Sequence, residues 1–148
     1  PIPPTPAILR LDNQVCFALY SASLAMTKLY KPLLDRIGLT YPQYLVMLVL
    51  WEQDGVTVSE LGERLFLDSG TLTPLLKRLE AEGLLSRTRS REDERVVIVQ
   101  LTEQGRVLRE QARDIPQCIL GASGRSVEQL RQLQEDLQVL RGHLQDSL

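Results

Sequence analysis

Apolar residues recur at steps of three and four near the start of the chain, which is the spacing of an amphipathic helix. The pattern predicts a long first helix over about residues 8–37, bent at Pro32 and ended by Gly38. A second helix is expected, with Thr40 or Tyr41 as its cap, Pro42 as its first residue and residues 43–53 after it. Because this second segment is apolar nearly all round, it should be buried on most sides. The stripe of the first helix comprises Leu11, Val15, Leu19, Ala22, Met26, Leu29 and Leu33.

The middle of the chain predicts two short helices separated by a tight turn. Thr57-x-x-Glu60 has the spacing of a capping box that opens the first of them. Residues 67–70 form the turn, and Gly83 should end the second helix. The apolar face of the second helix, which should pack inward, comprises Leu72, Leu75, Leu76 and Leu79.

The opposite face of this second helix is polar and basic. Pro74 has no N–H and is best tolerated in the first turn, so we expect the helix to begin near Thr71, or with a distorted start at Ser69. The residues of this face are Thr73, Pro74, Lys77 and Arg78.

Two β-strands are expected next, over residues 84–89 and 95–101, joined by a charged loop. The order helix, turn, helix, hairpin predicts a winged helix-turn-helix lobe over about residues 56–101. A second helix of this kind is narrow enough to enter the major groove of DNA, and the hairpin can reach the neighbouring minor groove or backbone.

Helical periodicity returns over about residues 102–148, where Thr102 caps a helix that Pro116 should kink. Glycines mark a break, and a capping box opens a last, leucine-striped helix. The glycines are Gly121 and Gly124, and the capping box is Ser126-x-x-Gln129.

These elements predict one domain over residues 1–148, mainly α-helical with a small β-hairpin. The regions at about 8–37 and 102–148 carry leucine stripes that the small lobe cannot cover, so two chains could bury them against each other. We therefore expect dimerisation helices at both ends and a homodimer, with packing inside one chain as the alternative. A dimer would place the second helix of each lobe, the recognition helix, about one turn of DNA from that of its partner.

The formal net charge is −2, so the chain as a whole is not basic. Any binding of DNA must therefore depend on a local patch of basic residues. Arg87 and Arg89 share one face of the first strand, and Arg91 lies at the tip of the hairpin. Backbone amides near Ser69 and Thr71 could hold a phosphate at the helix N-terminus. The alternative is a hairpin whose charges are simply solvated.

The scarcity of cysteine and histidine excludes several classes of site. Cys16 and Cys118 are far apart and His143 is the one histidine, so a disulfide scaffold, a CxxC motif and a four-ligand zinc site are excluded. We expect no metal or cofactor, and His143 to be a surface residue. The nearly uncharged run at 39–51 is too short to span a bilayer, which predicts a cytoplasmic protein. The proline-rich residues 1–6 should form an extended, poorly ordered arm.

The segments TVSEL (57–61), SGTLTPLLKRLEAEGL (69–84) and LTEQG (101–105), with the arginine-rich hairpin between the last two, resemble the multiple-antibiotic-resistance regulator (MarR) family. The resemblance implies a homodimeric transcriptional regulator, not an enzyme, that binds a pseudo-palindromic operator in double-stranded DNA. It also implies that Asp93 orients basic side chains and that Arg95 contacts DNA. The complete expected DNA-binding set is Ser69, Thr71, Thr73, Pro74, Lys77, Arg78, Arg87, Arg89, Arg91, Asp93 and Arg95.

The segments DNQVCFALYS (12–21) and LTYPQY (39–44) resemble the organic hydroperoxide resistance branch of that family. This resemblance implies that Cys16 is a reactive thiol and that Tyr30 and Tyr41 hydrogen-bond it. A thiolate attacks a peroxide to give a sulfenic acid, which condenses with a second thiol.

The resemblance to two-cysteine members implies that this second thiol is the partner subunit's Cys118, and that oxidation by an organic hydroperoxide releases the operator. Other interpretations remain open at this point. Cys16 could be a buried small hydrophobe, and Cys118 could be incidental, with Cys16 capped by a small thiol. The effector could be a reversible phenolic ligand, or Cys16 could serve a thiol peroxidase.

Overall fold

The computed structural model describes residues 2–148, so the first residue of the predicted arm lies outside the described part. Residues 2–6 have no regular secondary structure. The chain forms two compact units, which divide between Arg113 and Asp114. The first unit contains two short 3₁₀ turns and the elements α1 (Val15–Asp35), α2 (Tyr41–Glu52), β1 (Val56–Thr57), α3 (Val58–Leu65), α4 (Ser69–Ala81), β2 (Leu85–Arg89), β3 (Val97–Leu101) and α5 (Glu103–Gln111). The second contains α6 (Ile115–Ser123) and α7 (Val127–Asp146).

The first helix is shorter than the sequence predicts, because it begins at Val15 and not near residue 8. The preceding residues form two 3₁₀ turns, Ala7–Leu9 and Leu11–Asn13. The Asn13 amide donates to the Ala7 carbonyl at 2.7 Å, which is a local bond that competes with a continuous helix. Pro32 lies inside α1, and Gly38 follows its end with a positive φ, as expected of a stop.

Helix α2 is the centre of the core of the first unit. Thr40 opens it with a complete capping box to Gln43, and Val46, Met47 and Leu50 are fully buried. The prediction of a helix buried on most sides is confirmed, although α2 begins at Tyr41, one residue before the expected first residue Pro42.

The wing belongs to a three-stranded antiparallel sheet with the order β1-β3-β2, whereas the sequence predicted a hairpin alone. The added strand pairs Val56 with Val99 and Thr57 with Ile98. The hairpin register places Arg87 opposite Val99. Strand β3 therefore lies in the middle, held on both sides.

The recognition helix α4 begins at Ser69, so the start near Thr71 was wrong and the alternative start at Ser69 is the one found. The Asp68 side chain caps it by accepting from the Thr71 amide at 2.7 Å. Pro74 therefore lies beyond the first turn and leaves the Gly70 carbonyl without its helical donor. Capping and the burial of the leucine face outweigh that single lost bond.

The second unit corrects two expectations. Pro116 does not kink a continuous helix, because α5 ends at Gln111 and Pro116 lies in the first turn of α6. Gly121 lies inside α6, and Gly124, with a φ of 68°, ends it. The capping box that opens α7 is confirmed in both halves by Ser126 and Gln129.

Candidate nucleic-acid interface and thiol site

The turn between α3 and α4 is set by a close backbone approach. Phe66 ends α3 in the left-handed conformation with a φ of 57°, and the Leu67 amide donates to the Gly62 carbonyl at 3.0 Å. A Cβ at Gly62 would lie 2.8 Å from the Leu67 carbonyl oxygen, so the turn requires glycine there. Thr57 accepts from the Glu60 amide, which is the first half of the predicted capping box. These bonds fix the angle at which α4 leaves α3.

The outward face of α4 carries the predicted set of small and basic side chains. Thr73 is half-buried, and the others are exposed. The Thr71 amide donates a hydrogen bond to the Asp68 carboxylate, so this amide is not free for the phosphate that the sequence predicted. These hydrogen bonds from Thr71 hold the pKa of Asp68 below its ordinary value, and the cap is therefore anionic. The exposed members of the face are Ser69, Thr71, Pro74, Lys77 and Arg78.

The wing holds its arginines by short internal bonds. Asp93 accepts from the backbone and side chain of Arg95, at 3.0 Å and 3.2 Å, and these bonds lower the pKa of Asp93. The side chain of Arg95 stays 91% exposed, which leaves guanidinium N–H groups for a phosphate. Arg89 donates to the Glu94 carbonyl at 2.8 Å, and Arg91 is exposed in the loop. Asp93 thus holds both the backbone and the side chain of Arg95 in place.

Arg87 is placed differently from the other wing arginines. Its Nη2 donates to Glu80 Oε1 at 3.0 Å, its Nε to the same oxygen at 3.3 Å, and its backbone amide to Oε2 at 3.0 Å. Glu80 lies on α4, so this pair joins the recognition helix to the wing. Sequence reasoning missed Glu80, because its partner lies seven residues away across the turn from α4 to β2 and leaves no periodic signal.

Helix α4 and the wing border one open groove of about 900 Å³. Thr73 on the helix and Arg95 on the wing both line it, together with Thr57 and Phe66. The structure therefore brings the predicted contacts of the helix and the hairpin to a common surface.

Both cysteines are exposed in the single chain, so the interpretation of Cys16 as a buried hydrophobe does not hold there. Cys16 is the second residue of α1, and Cys118 lies on α6 in the other unit. Tyr30 is fourteen residues after Cys16 on the same helix, roughly 21 Å away at 1.5 Å per residue. The Tyr30 hydroxyl therefore cannot reach the Cys16 thiol of its own chain.

Tyr30 and Tyr41 do lie together, with ring centroids 4.9 Å apart. Tyr44, which the sequence prediction omitted, completes the cluster at 5.9 Å from Tyr30 and 6.4 Å from Tyr41. Burial, with the neighbouring tyrosines, raises the pKa of Tyr30 to about 12, and burial also raises the pKa of Tyr41. The hydroxyls are therefore protonated donors at neutral pH. The one-turn spacing of Tyr41 and Tyr44 was the available signal.

Comparisons with known proteins identify the family. Residues 28–111 match the family model described as transcriptional regulator SarA/Rot. The chain is 57% identical over 132 residues to the organic hydroperoxide resistance transcriptional regulator of Bacillus subtilis, covering 89% of this chain and 90% of the relative. The chain belongs to the organic hydroperoxide resistance branch of the MarR family of transcriptional regulators.

Solved structures agree with this membership. Reduced AbfR bound to DNA is 38% identical, with a TM-score of 0.77 over 92% of this chain and 94% of that one. The disulfide form of AbfR is also 38% identical, with a lower TM-score of 0.62 over 89% and 93%. The winged-helix fold predicted from the sequence is thereby confirmed.

Within residues 2–148, no cluster of His, Cys, Asp and Glu side chains has the arrangement to hold a metal ion. None of the helices in that same part combines the length and the apolarity needed to cross a membrane.

Proposed function

We propose that this chain is a transcriptional repressor that binds operator DNA as a reduced homodimer and is released when an organic hydroperoxide oxidises Cys16. The observation that carries the proposal is the exposed Cys16 thiol at the start of α1, in a chain of this family. AbfR, a similar protein, has been solved reduced on DNA and also in a disulfide form. This chain would have the same two states, a reduced form on DNA and a disulfide form.

A homodimer is supported by the apolar side chains that one chain leaves uncovered. On α1, Val15 is 63% exposed and Leu24 is 46% exposed, and on α7, Val139 is 61% exposed and Leu144 is 57% exposed. Unpartnered apolar rows of this kind are a hallmark of helical dimer interfaces. A dimer would also bring a second Cys16 within reach of the tyrosine cluster, which is too far from the Cys16 of its own chain.

The tyrosine hydroxyls cannot serve the thiol of their own chain, so Tyr30 and Tyr41 must meet the partner subunit's Cys16 if they act on it. As protonated donors they would stabilise the thiolate and align the peroxide. Each sensing site would then combine groups from both subunits.

The chemical steps balance without a cofactor. The Cys16 thiolate attacks the terminal oxygen of ROOH, the O–O bond breaks, and the alkoxide takes a proton and leaves as ROH. The sulfur becomes a sulfenic acid. The partner subunit's Cys118 thiolate then attacks this sulfur, an S–S bond forms and water leaves.

The DNA interface in this proposal is the exposed face of α4 together with the wing. Hydroxyls and basic groups of α4 enter the major groove, and the wing arginines reach the neighbouring groove or backbone. A disulfide between Cys16 and the partner subunit's Cys118 would move the DNA-binding lobes of the dimer away from the half-site spacing. The groups involved are Ser69, Thr71, Thr73, Pro74, Lys77, Arg78, Arg89, Arg91 and Arg95, with Asp93 and Arg87 holding the wing.

The test measures operator affinity before and after one equivalent of cumene hydroperoxide per subunit. The operator is the duplex that the reduced protein selects from a randomised pool. Wild type should release it and regain it with dithiothreitol, whereas Cys16→Ser should stay bound. Cys118→Ser should form the sulfenic acid without the intersubunit bridge, as seen on a non-reducing gel.

Several outcomes would contradict this proposal. Release of the Cys16→Ser variant by peroxide would remove the sensing role of that thiol. Release that reverses on dialysis without reductant would instead favour a reversible small-molecule effector. Sustained consumption of peroxide with a reductant would indicate a thiol peroxidase.

A further inference from the structure

The ion pair between Arg87 and Glu80 sets one wing arginine apart from the others. The side chain of Arg87 is 24% exposed, against 91% for Arg95, and its charge faces a carboxylate on the recognition helix. Three hydrogen bonds from Arg87 converge on that one carboxylate. These bonds also lower the pKa of Glu80, which is therefore ionised at neutral pH.

The pair is not needed to close the turn between α4 and β2. The Leu84 amide already donates to the Leu79 carbonyl at 3.0 Å, and the Thr102 amide to the Leu84 carbonyl at 3.1 Å. These backbone bonds attach the base of the wing to the end of the recognition helix. The pair has two other effects. It holds the positive charge of Arg87 beside α4, and it fixes the orientation of strand β2 relative to that helix.

We propose that Glu80 is a specificity-determining positioning residue, which withholds Arg87 from DNA phosphates and holds the wing at a fixed angle to the recognition helix. This inference rests on the proposed function, because it concerns how the lobe discriminates among DNA sequences. A free arginine adds a phosphate contact on any sequence, and such contacts supply nearly all sequence-independent affinity. Glu80 therefore lowers binding to unrelated DNA while it keeps the wing aligned for the operator.

The experiment compares the reduced wild-type protein with Glu80→Gln, Arg87→Gln and the double variant. Each binds the selected operator and a scrambled duplex of the same length, across a range of salt concentrations. Glu92→Gln is the control, because it removes the same charge from an exposed position on the hairpin that carries Arg87, without releasing that arginine. Thermal unfolding by circular dichroism checks that each variant is folded.

For the scrambled duplex, Glu80→Gln should steepen the slope of log K against log salt by about 0.9, the value of one added phosphate contact. Its preference for the operator should fall by roughly fivefold or more, the size of one mismatched base pair. Arg87→Gln should leave the slope on the scrambled duplex at the wild-type value. The double variant should return to that value, and Glu92→Gln should match wild type in slope.

The inference is overturned if Arg87→Gln flattens the wild-type slope by about 0.9, because Arg87 would then already bind a phosphate. The measurement on Arg87→Gln can be interpreted even if Glu80→Gln does not fold. Equal slopes for Glu80→Gln and wild type, or an equal rise in Glu92→Gln, would also overturn it. Failure of the wild type to select any duplex would instead refute the proposed function.

Discussion

The indole Nε1–H of Trp51 donates a 2.9 Å hydrogen bond to the backbone carbonyl of Gly105. This bond joins the end of α2 to the first turn of α5 across more than fifty residues of sequence. Beside it, Asp54 accepts from the Leu101 amide at 2.8 Å and pairs with Arg106 at 3.4 Å. The start of α5 is thus tied to the base of the wing.

We expect Trp51→Phe to lower the free energy of unfolding by about 1–2 kcal/mol, because it removes this hydrogen bond and part of a packed ring. Denaturant unfolding followed by circular dichroism, at one fixed protein concentration, measures the change. Glu110→Gln, at an exposed position of α5, is the control and should not change the midpoint. An unchanged midpoint in Trp51→Phe would show that the bond contributes no stability.

Gly105 makes a second prediction. A Cβ there would collide with the carbonyl oxygen of Leu84, so Gly105→Ala must displace backbone. We expect a loss of about 3 kcal/mol or more. Gly142→Ala in α7 is the matched control, since a Cβ there meets nothing within 4 Å, and it should stabilise by up to about 1 kcal/mol. Equal effects of the two alanines on the unfolding midpoint would contradict this account.

Asp68 predicts a pH dependence of stability. Its pKa lies below the ordinary 3.8 in the folded chain because Thr71 donates to it. The cap therefore contributes fully above the unfolded value and is lost as the pH falls through the lowered, folded value. Asp68→Asn keeps a capping side chain but no charge, so its stability near neutral pH should stay close to wild type while its loss toward acid becomes shallower.

Unfolding midpoints between pH 7 and pH 3 test this, with Asp68→Ala as the variant that loses the cap at every pH. Parallel acid profiles for Asp68→Asn and wild type would show that this carboxylate does not contribute to the pH dependence.

The tyrosine cluster predicts the rate of oxidation. Tyr30→Phe and Tyr41→Phe keep the rings but lose the donors, so the second-order rate of Cys16 with cumene hydroperoxide should fall about tenfold or more. Affinity of the reduced variants for the operator should not change. Tyr44→Phe is the control, because it removes a hydroxyl from the same cluster at the residue that is 3% exposed and that the sensing role does not include. Equal slowing in all three variants would indicate altered packing and not donation to sulfur.

Lys77 predicts the salt dependence of DNA binding. It is exposed on the outward face of α4, and Lys77→Gln should lower affinity for the operator and flatten the slope of log K against log salt by about 0.9. Lys28→Gln, exposed on α1, is the matched control and should leave the slope unchanged. The contact surface lies elsewhere if both variants behave alike.

Local signals explain what could be predicted from the sequence. The apolar run of α2 and the caps at Thr40, Thr102 and Ser126 depend only on neighbours within one turn, and each is found where it was expected. The family motifs identified the lobe and the reactive thiol candidate. Strand β1 was missed because two residues are too short to show an alternating pattern, and its partner Val99 is remote in sequence.

Non-local contacts explain the remainder. The proline rule suggested a start of α4 near Thr71, but the Asp68 cap and the burial of Leu72 and Leu76 prevail over one lost backbone bond. The pairing of Arg87 with Glu80 and of Trp51 with Gly105 leaves no trace in local spacing. The distance from Cys16 to Tyr30 follows from helix length only once the helix is known to be continuous.

Strand β1 has a practical consequence for protein engineering. Thr57 is both a strand residue beside β3 and the cap of α3, so the base of the wing and the entry to the helix pair share one residue. A chimera that transplants only the hairpin from another regulator would leave β1 beside a foreign strand. Grafts of DNA preference between such proteins should therefore carry the whole segment from Val56 to Leu101 as one cassette.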